Sequence, residues 1–325
     1  MLLRRLLTLG LLVLIAVLLI EFSYRVYLFG AAGLAIEKVN SLHEIGLSGL
    51  IQSSAYPEVI YELKPRQDTW FKLARFQTNS AGLPDREYSL SKPANTFRIV
   101  VLGSSFSMPS GVAIEDSWQD VLERDLNAHA KRRSFEVINF SVGGYDSRQL
   151  LATLKHRAVT YTPDLALVEL TLGSPWRMRV EDAYHAPFTP RAQTYPFFHS
   201  FALDRLYPPT IQPAPAWVLP ADQMPMAFER ILAGFRSFAE QSALPVCFVI
   251  LQHDPEQREA TLKLREQVGR FSSCIIDTSP AFENKKFSDL IIFKIDAHPN
   301  PRAQRIFARV VFDHLMTHEL IAAAQ

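Results

Sequence analysis

The stretch "RIVVLGSSFSMPSGV", residues 98–112, decides how the rest of the chain is read. Its first five residues, apolar from Ile99 onward, read as a buried strand, and the run stops abruptly at Gly103. Two serines, Ser104 and Ser105, follow at the carboxyl end, where open α/β sheets place their ligands. Taken alone, the segment also fits a polar turn. The surrounding sequence has to choose.

Working outward, residues 97–102, 135–140, 165–170, 245–251 and 274–276 are short apolar runs that alternate with helical stretches. That alternation predicts βα units and a mostly parallel sheet. Between the first two runs, "SWQDVLERDLNAHA" places Trp118, Val121, Leu122 and Leu126 on one helical face, ready to pack on the sheet. After the third run the pattern breaks. Residues 174–226 are rich in proline and aromatic side chains with no sustained period, and read as an insertion covering one edge of the strand ends.

Composition narrows the function classes. The 325 residues are 48% hydrophobic and 21% charged, enough to bury a large core, and a formal net charge of +1 with no basic run argues against nucleic-acid binding. Cys247 and Cys274 both sit in strand-like runs, with no CxxC or Cys/His cluster to hold a metal, and are expected as small buried hydrophobes. The amino terminus carries Arg4 and Arg5, an uncharged apolar run over residues 6–20, and then Phe22, Tyr24, Val26, Tyr27 and Phe29. A helix through residue 29 reaches bilayer length, with Glu21 and Arg25 pairing one turn apart. A cleaved signal peptide is the competing reading, but no small-x-small site follows Ile20 promptly. The arginines favour a cytoplasmic amino terminus, which puts the remainder on the periplasmic or exterior side of an inner membrane. The expected organisation is an anchor at 1–29, an extension at 30–96 and an α/β domain at 97–321.

The polar residues at the strand ends form a recognisable set. Ser104 and Ser105 follow the first strand, Asn139, Gly143 and Gly144 the second, and Gly173 and Ser174 the third. Near the carboxyl end, Asp296 and His298 precede a proline and an amphipathic helix. A parallel sheet brings such loops to one edge, where a serine, a base, an acid to orient it and glycine amides supply what acyl transfer needs. Read singly, each has a plainer role: His298 as a surface histidine, Asp296 as a helix cap, the glycines as turn residues and Ser104 as a local brace. His253 ends the fourth strand beside the cleft, while His185 and His199 lie in the insertion. No histidine pair has metal-ligand spacing beside a carboxylate.

From residue 76 onward the chain resembles the SGNH (GDSL-type) hydrolases, and within them the membrane-anchored bacterial members. The likeness rests on four blocks in order: "FQTNSAGLPDREYSLSKPANTFRIVVLGSSFSMPSGV", "VINFSVGGYDSRQLL", "YTPDLALVELTLG" and "DAHPNPRAQRIFA". It implies a flavodoxin-like three-layer α/β/α sandwich with a parallel sheet, Ser105 as nucleophile, Gly144 as an oxyanion donor, and Asp296 and His298 as acid and base. The third block departs from the family. Ser174 and Pro175 stand where the family has asparagine and aspartate, so Ser174 is left as a shorter oxyanion donor, and Pro84 replaces a familiar arginine. The resemblance implies a membrane-tethered serine esterase acting on O-acyl groups of a cell-envelope or exported polysaccharide, with no cofactor. A catalytically impaired scaffold or binding subunit, and an O-acyltransferase, are the alternatives.

Overall fold

A computed structural model describes residues 1–36, 47–176, 178–179, 200–206, 219–318 and 321. The predicted runs fold into five strands: β5 (Thr96–Leu102), β6 (Ser134–Asn139), β7 (Leu165–Leu170), β8 (Val246–Ile250) and β9 (Ile275–Asp277). All pair in parallel in the order β6-β5-β7-β8-β9, with Ile99 opposite Val137 on one side and Leu165 on the other. The chain therefore starts in the interior, steps out to β6 and crosses back to β7. That reversal makes the carboxyl ends of β5 and β7 the crevice of the fold.

Side chains alternate across the sheet with the two-residue period of a strand. Val100, Leu102, Ile138, Val168 and Ile250 face helices α3 (Ser147–His156), α5 (Met224–Ser242) and α6 (Arg258–Gly269). Ile99, Val101, Val137, Leu167 and Val249 face α2 (Trp118–His129) and α7 (Pro301–Thr317). Every residue of β5 is buried, as expected for an interior strand covered on both faces. The helices start on side-chain caps: Ser117 for α2, an Asp146/Gln149 capping box for α3, and Asn300 followed by Pro301 for α7.

Ahead of the sheet, two antiparallel hairpins pair β1 (Ile51–Ser53) with β2 (Tyr61–Leu63) and β3 (Asp68–Phe71) with β4 (Ala74–Gln77). Ile51, Tyr61, Leu63, Phe71 and Phe76 join the same apolar cluster as β5, so this stretch shares the domain's core. A last hairpin pairs β10 (Ile291–Phe293) with β11 (Asp296–Pro299).

Two expectations change. Cys247 and Cys274 are not separate buried thiols but a disulfide with their Cα atoms 4.7 Å apart, which parallel pairing of β8 and β9 makes possible. Within the stretch read as aperiodic, α4 (Phe201–Leu206) is helical, and α5 begins at Met224. Residues 177, 180–199 and 207–218 of that insertion, with His185 and His199 among them, lie outside the described residues.

Helix α1 (Leu2–Phe29) is long and apolar enough to cross a membrane, and its residues from Leu2 to Ile20 are exposed. Its far end is different. Glu21 and Arg25 are buried and paired at 2.7 Å, and Leu28 and Phe29 pack on Phe201.

Candidate active site

The loop leaving β5 is held at almost every polar group. Glu169, buried near the end of β7, accepts from Ser104 N–H (3.0 Å), Ser107 N–H (2.9 Å) and the Ser104 hydroxyl (2.5 Å). The Ser107 carbonyl accepts from Gln119 and Asn139, its hydroxyl from the Trp118 indole, and Gln304 donates to the Phe106 carbonyl. Burial pushes the Glu169 carboxyl above its ordinary range against the opposing pull of these donors. Gly103 does not need a left-handed φ. It is glycine because a Cβ there would lie 2.5 Å from the Glu169 carboxylate and 2.6 Å from Ser107 and Ser141. The outcome is a rigid elbow on which Ser105 differs from its neighbours: among the described residues neither its N–H nor its hydroxyl has a hydrogen-bond partner.

The other predicted residues arrive from three directions. Gly143 and Gly144 follow β6, and the Gly143 carbonyl accepts from Tyr61 (3.0 Å) in the β1/β2 hairpin. Gly144 has φ 79°, and a side chain there would meet the Tyr61 hydroxyl at 2.9 Å, so both backbone and packing demand glycine. Its N–H, like that of Ser105, has no partner among the described residues. Asp296 and His298 sit on β11, two residues apart and so on one side of the strand. One Asp296 oxygen accepts from the His298 backbone N–H (3.0 Å) and bonds the imidazole Nδ1. Among the described residues, that leaves Nε2 without a partner.

Ser105, Gly143, Gly144, Asp296 and His298 line one cavity of about 470 Å³. Ser105, Asp296 and His298 also line an adjoining one of about 420 Å³, which extends over Thr171, Leu172 and Gly173. Ser174 is not brought to either. Its hydroxyl turns back into its own loop and accepts from Thr171 N–H (2.9 Å).

Sequence reasoning missed two charged residues. Glu169 is an acid inside an otherwise apolar strand, a pattern that signals a buried polar partner. Lys72 gave no such signal. It occupies the two-residue turn of the β3/β4 hairpin, where Lys72 and Leu73 both adopt positive φ (49° and 69°), a conformation that non-glycine residues enter at a cost. That turn delivers the Lys72 ammonium to 2.7 Å from the free oxygen of Asp296 and 3.1 Å from His298 Nδ1. Burial alone would raise the Asp296 carboxyl, but bonding and charge from His298 and Lys72 outweigh it and hold it well below the usual carboxylate range. Behind the dyad, His253 donates from Nε2 to the Ala297 carbonyl (3.0 Å), while its Nδ1 is buried without a partner. Burial lowers the His253 imidazole to about 4, so it is neutral and a scaffold for β11.

The arrangement has the parts of a serine nucleophile site: an unpartnered hydroxyl lining the cavity, an oriented imidazole, a carboxylate behind it, and the free amides of Ser105 and Gly144. In fold the chain is similar to solved structures over about two thirds of its length. The solved structures it matches include a psychrotrophic esterase from Pseudoalteromonas sp. (18% identity, 69% of this chain and 98% of that chain, TM-score 0.42). Others are a putative lipolytic protein of the G-D-S-L family from Desulfitobacterium hafniense (13% identity, 67% and 99%, TM-score 0.43) and an acetylxylan esterase from Geobacillus stearothermophilus (13% identity, 67% and 94%, TM-score 0.43). No family model and no curated protein matches the sequence. As for metals, the trio of Cys247, Cys274 and His314 offers no ligand set, because both sulfurs are in the disulfide.

Proposed function

We propose that the chain is a membrane-tethered serine esterase in which Ser105 is the nucleophile, His298 the general base and Asp296 the group that orients it. The observation that carries this reading is the convergence of Ser105 and the Asp296–His298 pair on one cavity, with the Ser105 hydroxyl otherwise unpartnered. In the first step, His298 Nε2 takes the Ser105 proton as Oγ bonds to the acyl carbon. The ester C–O bond breaks, and the imidazolium returns the proton to the departing alcohol. Water then attacks the acyl-enzyme by the same route in reverse, releasing the acid and restoring Ser105. The Ser105 and Gly144 amides receive the charge that develops on the carbonyl oxygen, with Ser174 contributing weakly at most. An acylated cell-envelope or exported polysaccharide is the proposed substrate class, and acceptance of the acyl group by a sugar would make the same machinery a transferase.

The tether is supported by how the end of α1 is used. The Glu21 carboxylate accepts from the Ser200 hydroxyl (2.7 Å) and from Phe201 and Ala202 N–H (both 3.1 Å), capping α4. Cleavage beyond Glu21 would remove the cap, and cleavage beyond Phe29 would remove the apolar cluster as well, and both belong to the folded domain. That favours an anchor over a removable signal, with the domain on the extracytoplasmic side, where the disulfide is also at home.

A second reading has one observation in its favour. With Ser174 turned into its own loop, the oxyanion is left two amides, which suits an impaired scaffold. The test is hydrolysis of an activated short-chain ester by the full chain. Ser105→Ala and His298→Ala should each remove nearly all activity, and the double variant should lose no more than either single one, because the members act as a unit. Equal activity in folded Ser105→Ala and parent would replace the esterase by the scaffold.

A further inference from the structure

Ser105 divides the cleft into two halves that belong to different parts of the sheet. Ser105, Ile295, Asp296 and His298 line both cavities. The larger one opens over Gly143 and Gly144 after β6, and the smaller one over Thr171, Leu172 and Gly173 after β7 and Leu251 and Gln252 after β8. Strand β5 runs between β6 and β7, so Ser105 stands at the boundary and His298 faces both sides.

The two halves offer different chemistry. Leu47, Phe71, Met108, Phe201 and Phe293 wall the larger one, and the Lys72 ammonium beside them is engaged by Asp296. The free Gly144 amide lies on this side alone, which draws the carbonyl oxygen there and leaves apolar walls for the acyl group behind it. The smaller half is edged by unused donors. Gln252 is only 8% exposed and is fixed at two points: its backbone N–H donates to the Thr278 hydroxyl (3.1 Å), and its side-chain oxygen accepts from Asp254 N–H (2.8 Å). The second bond settles which end of the amide is which, and among the described residues it leaves Nε2 without a partner. The Thr171 hydroxyl and the Leu172 and Gly173 N–H groups also have none among the described residues. Several donors held in place around a concave space suit a ligand that carries several hydroxyls.

We propose that the smaller cavity takes the alcohol half of the ester as a polyhydroxylated unit of the sugar class, with Gln252 Nε2 donating to one of its hydroxyls, while the acyl half lies in the larger cavity. This rests on the esterase reading and deepens it. The chemical step is unchanged: His298, facing both halves, takes the proton from Ser105 and returns it to the alcohol that departs on the second side.

The test uses the full chain in phosphatidylcholine nanodiscs, which carry no sugar, and compares two acetyl esters of similar shape. One is methyl glucoside acetylated on its primary hydroxyl, and the other is cyclohexylmethyl acetate, which lacks the ring hydroxyls. kcat/KM should favour the sugar ester by about tenfold or more. Gln252→Glu keeps the acceptor for Asp254 and removes the donor, and it should lower that preference about fivefold or more, mainly through KM. Any effect of the new charge on His298 is common to both esters and cancels in the ratio. On a single alcohol, the butyryl-to-acetyl ratio should fall about fivefold or more in Leu47→Trp, which fills the larger cavity, and should be unmoved by Gln252→Glu. No preference for the sugar ester, or the two variants acting on the opposite ratios, would overturn the proposal. Binding separates it from the esterase reading. Saturation-transfer NMR on Ser105→Ala should detect bound methyl glucoside, with a signal that weakens when Gln252→Glu is added. That binding without Ser105-dependent turnover of any ester would remove the esterase reading alone, and absence of the binding would overturn the alcohol subsite whatever the turnover.

Discussion

Lys72 draws on the same carboxylate that orients His298, and this shapes how the site should respond to pH. Its ammonium bonds the Asp296 oxygen that the imidazole leaves free, and places a positive charge 3.1 Å from Nδ1, where the imidazolium must form. Lys72→Met gives Asp296 to His298 alone. The acid limb of the kcat/KM profile should move to higher pH by about one unit, and Lys72→Arg should stay nearer the parent. An unchanged profile in Lys72→Met would mean that the ammonium is a bystander. That Ser105, Asp296, His298 and Gly144 meet at one cavity was legible because their types and neighbours are distinctive in the sequence. Lys72 was not, since nothing in "WFKLARF" distinguishes it from any hairpin lysine, and its role comes only from a long-range contact. Ser174 is the reverse case: its place in the third block suggested a donor to the cleft, whereas its oxygen accepts from Thr171 N–H within its own loop and its side chain lines neither cavity.

Strands β5 to β9 follow from apolar runs and β-branched content, and fall within a residue or two of expectation. The hairpins at residues 51–77 were not legible, since half-polar edge strands carry a weak period and Lys72 and Leu73 make a turn without glycine. The cystine was missed for a related reason: which strands become neighbours is a property of the crossovers, not of the cysteine spacing. His253 links the end of β8 to β11, and its burial makes a testable contribution to acid sensitivity. The folded imidazole protonates only near about 4, whereas in the unfolded chain it does so near its usual 6.5. Between those values the unfolded state binds the extra proton, so stability falls as pH falls through that window. By denaturant titration, the stability of the parent relative to His253→Gln should drop by about 2 kcal/mol between pH 7 and pH 4.5. A constant difference would show that the fold leaves the imidazole's proton affinity at its unfolded value.

For the molecule as a whole, α1 is at once a candidate span and a structural member, because Glu21, Arg25, Leu28 and Phe29 are buried against the domain. Protein purified from membranes should therefore begin at residue 1 or 2 by amino-terminal sequencing, and a start between residues 20 and 40 would sink the anchor. The central claim is that a nucleophile stands at Ser105, and the most direct measurement of it is reaction of the full-length protein with a fluorophosphonate, followed by mass mapping of the adduct. The account predicts one phosphonyl adduct on Ser105, none on Ser104, and a rate reduced about a hundredfold or more in His298→Ala. A folded protein that leaves Ser105 unmodified, or that carries the adduct on another residue, would contradict it.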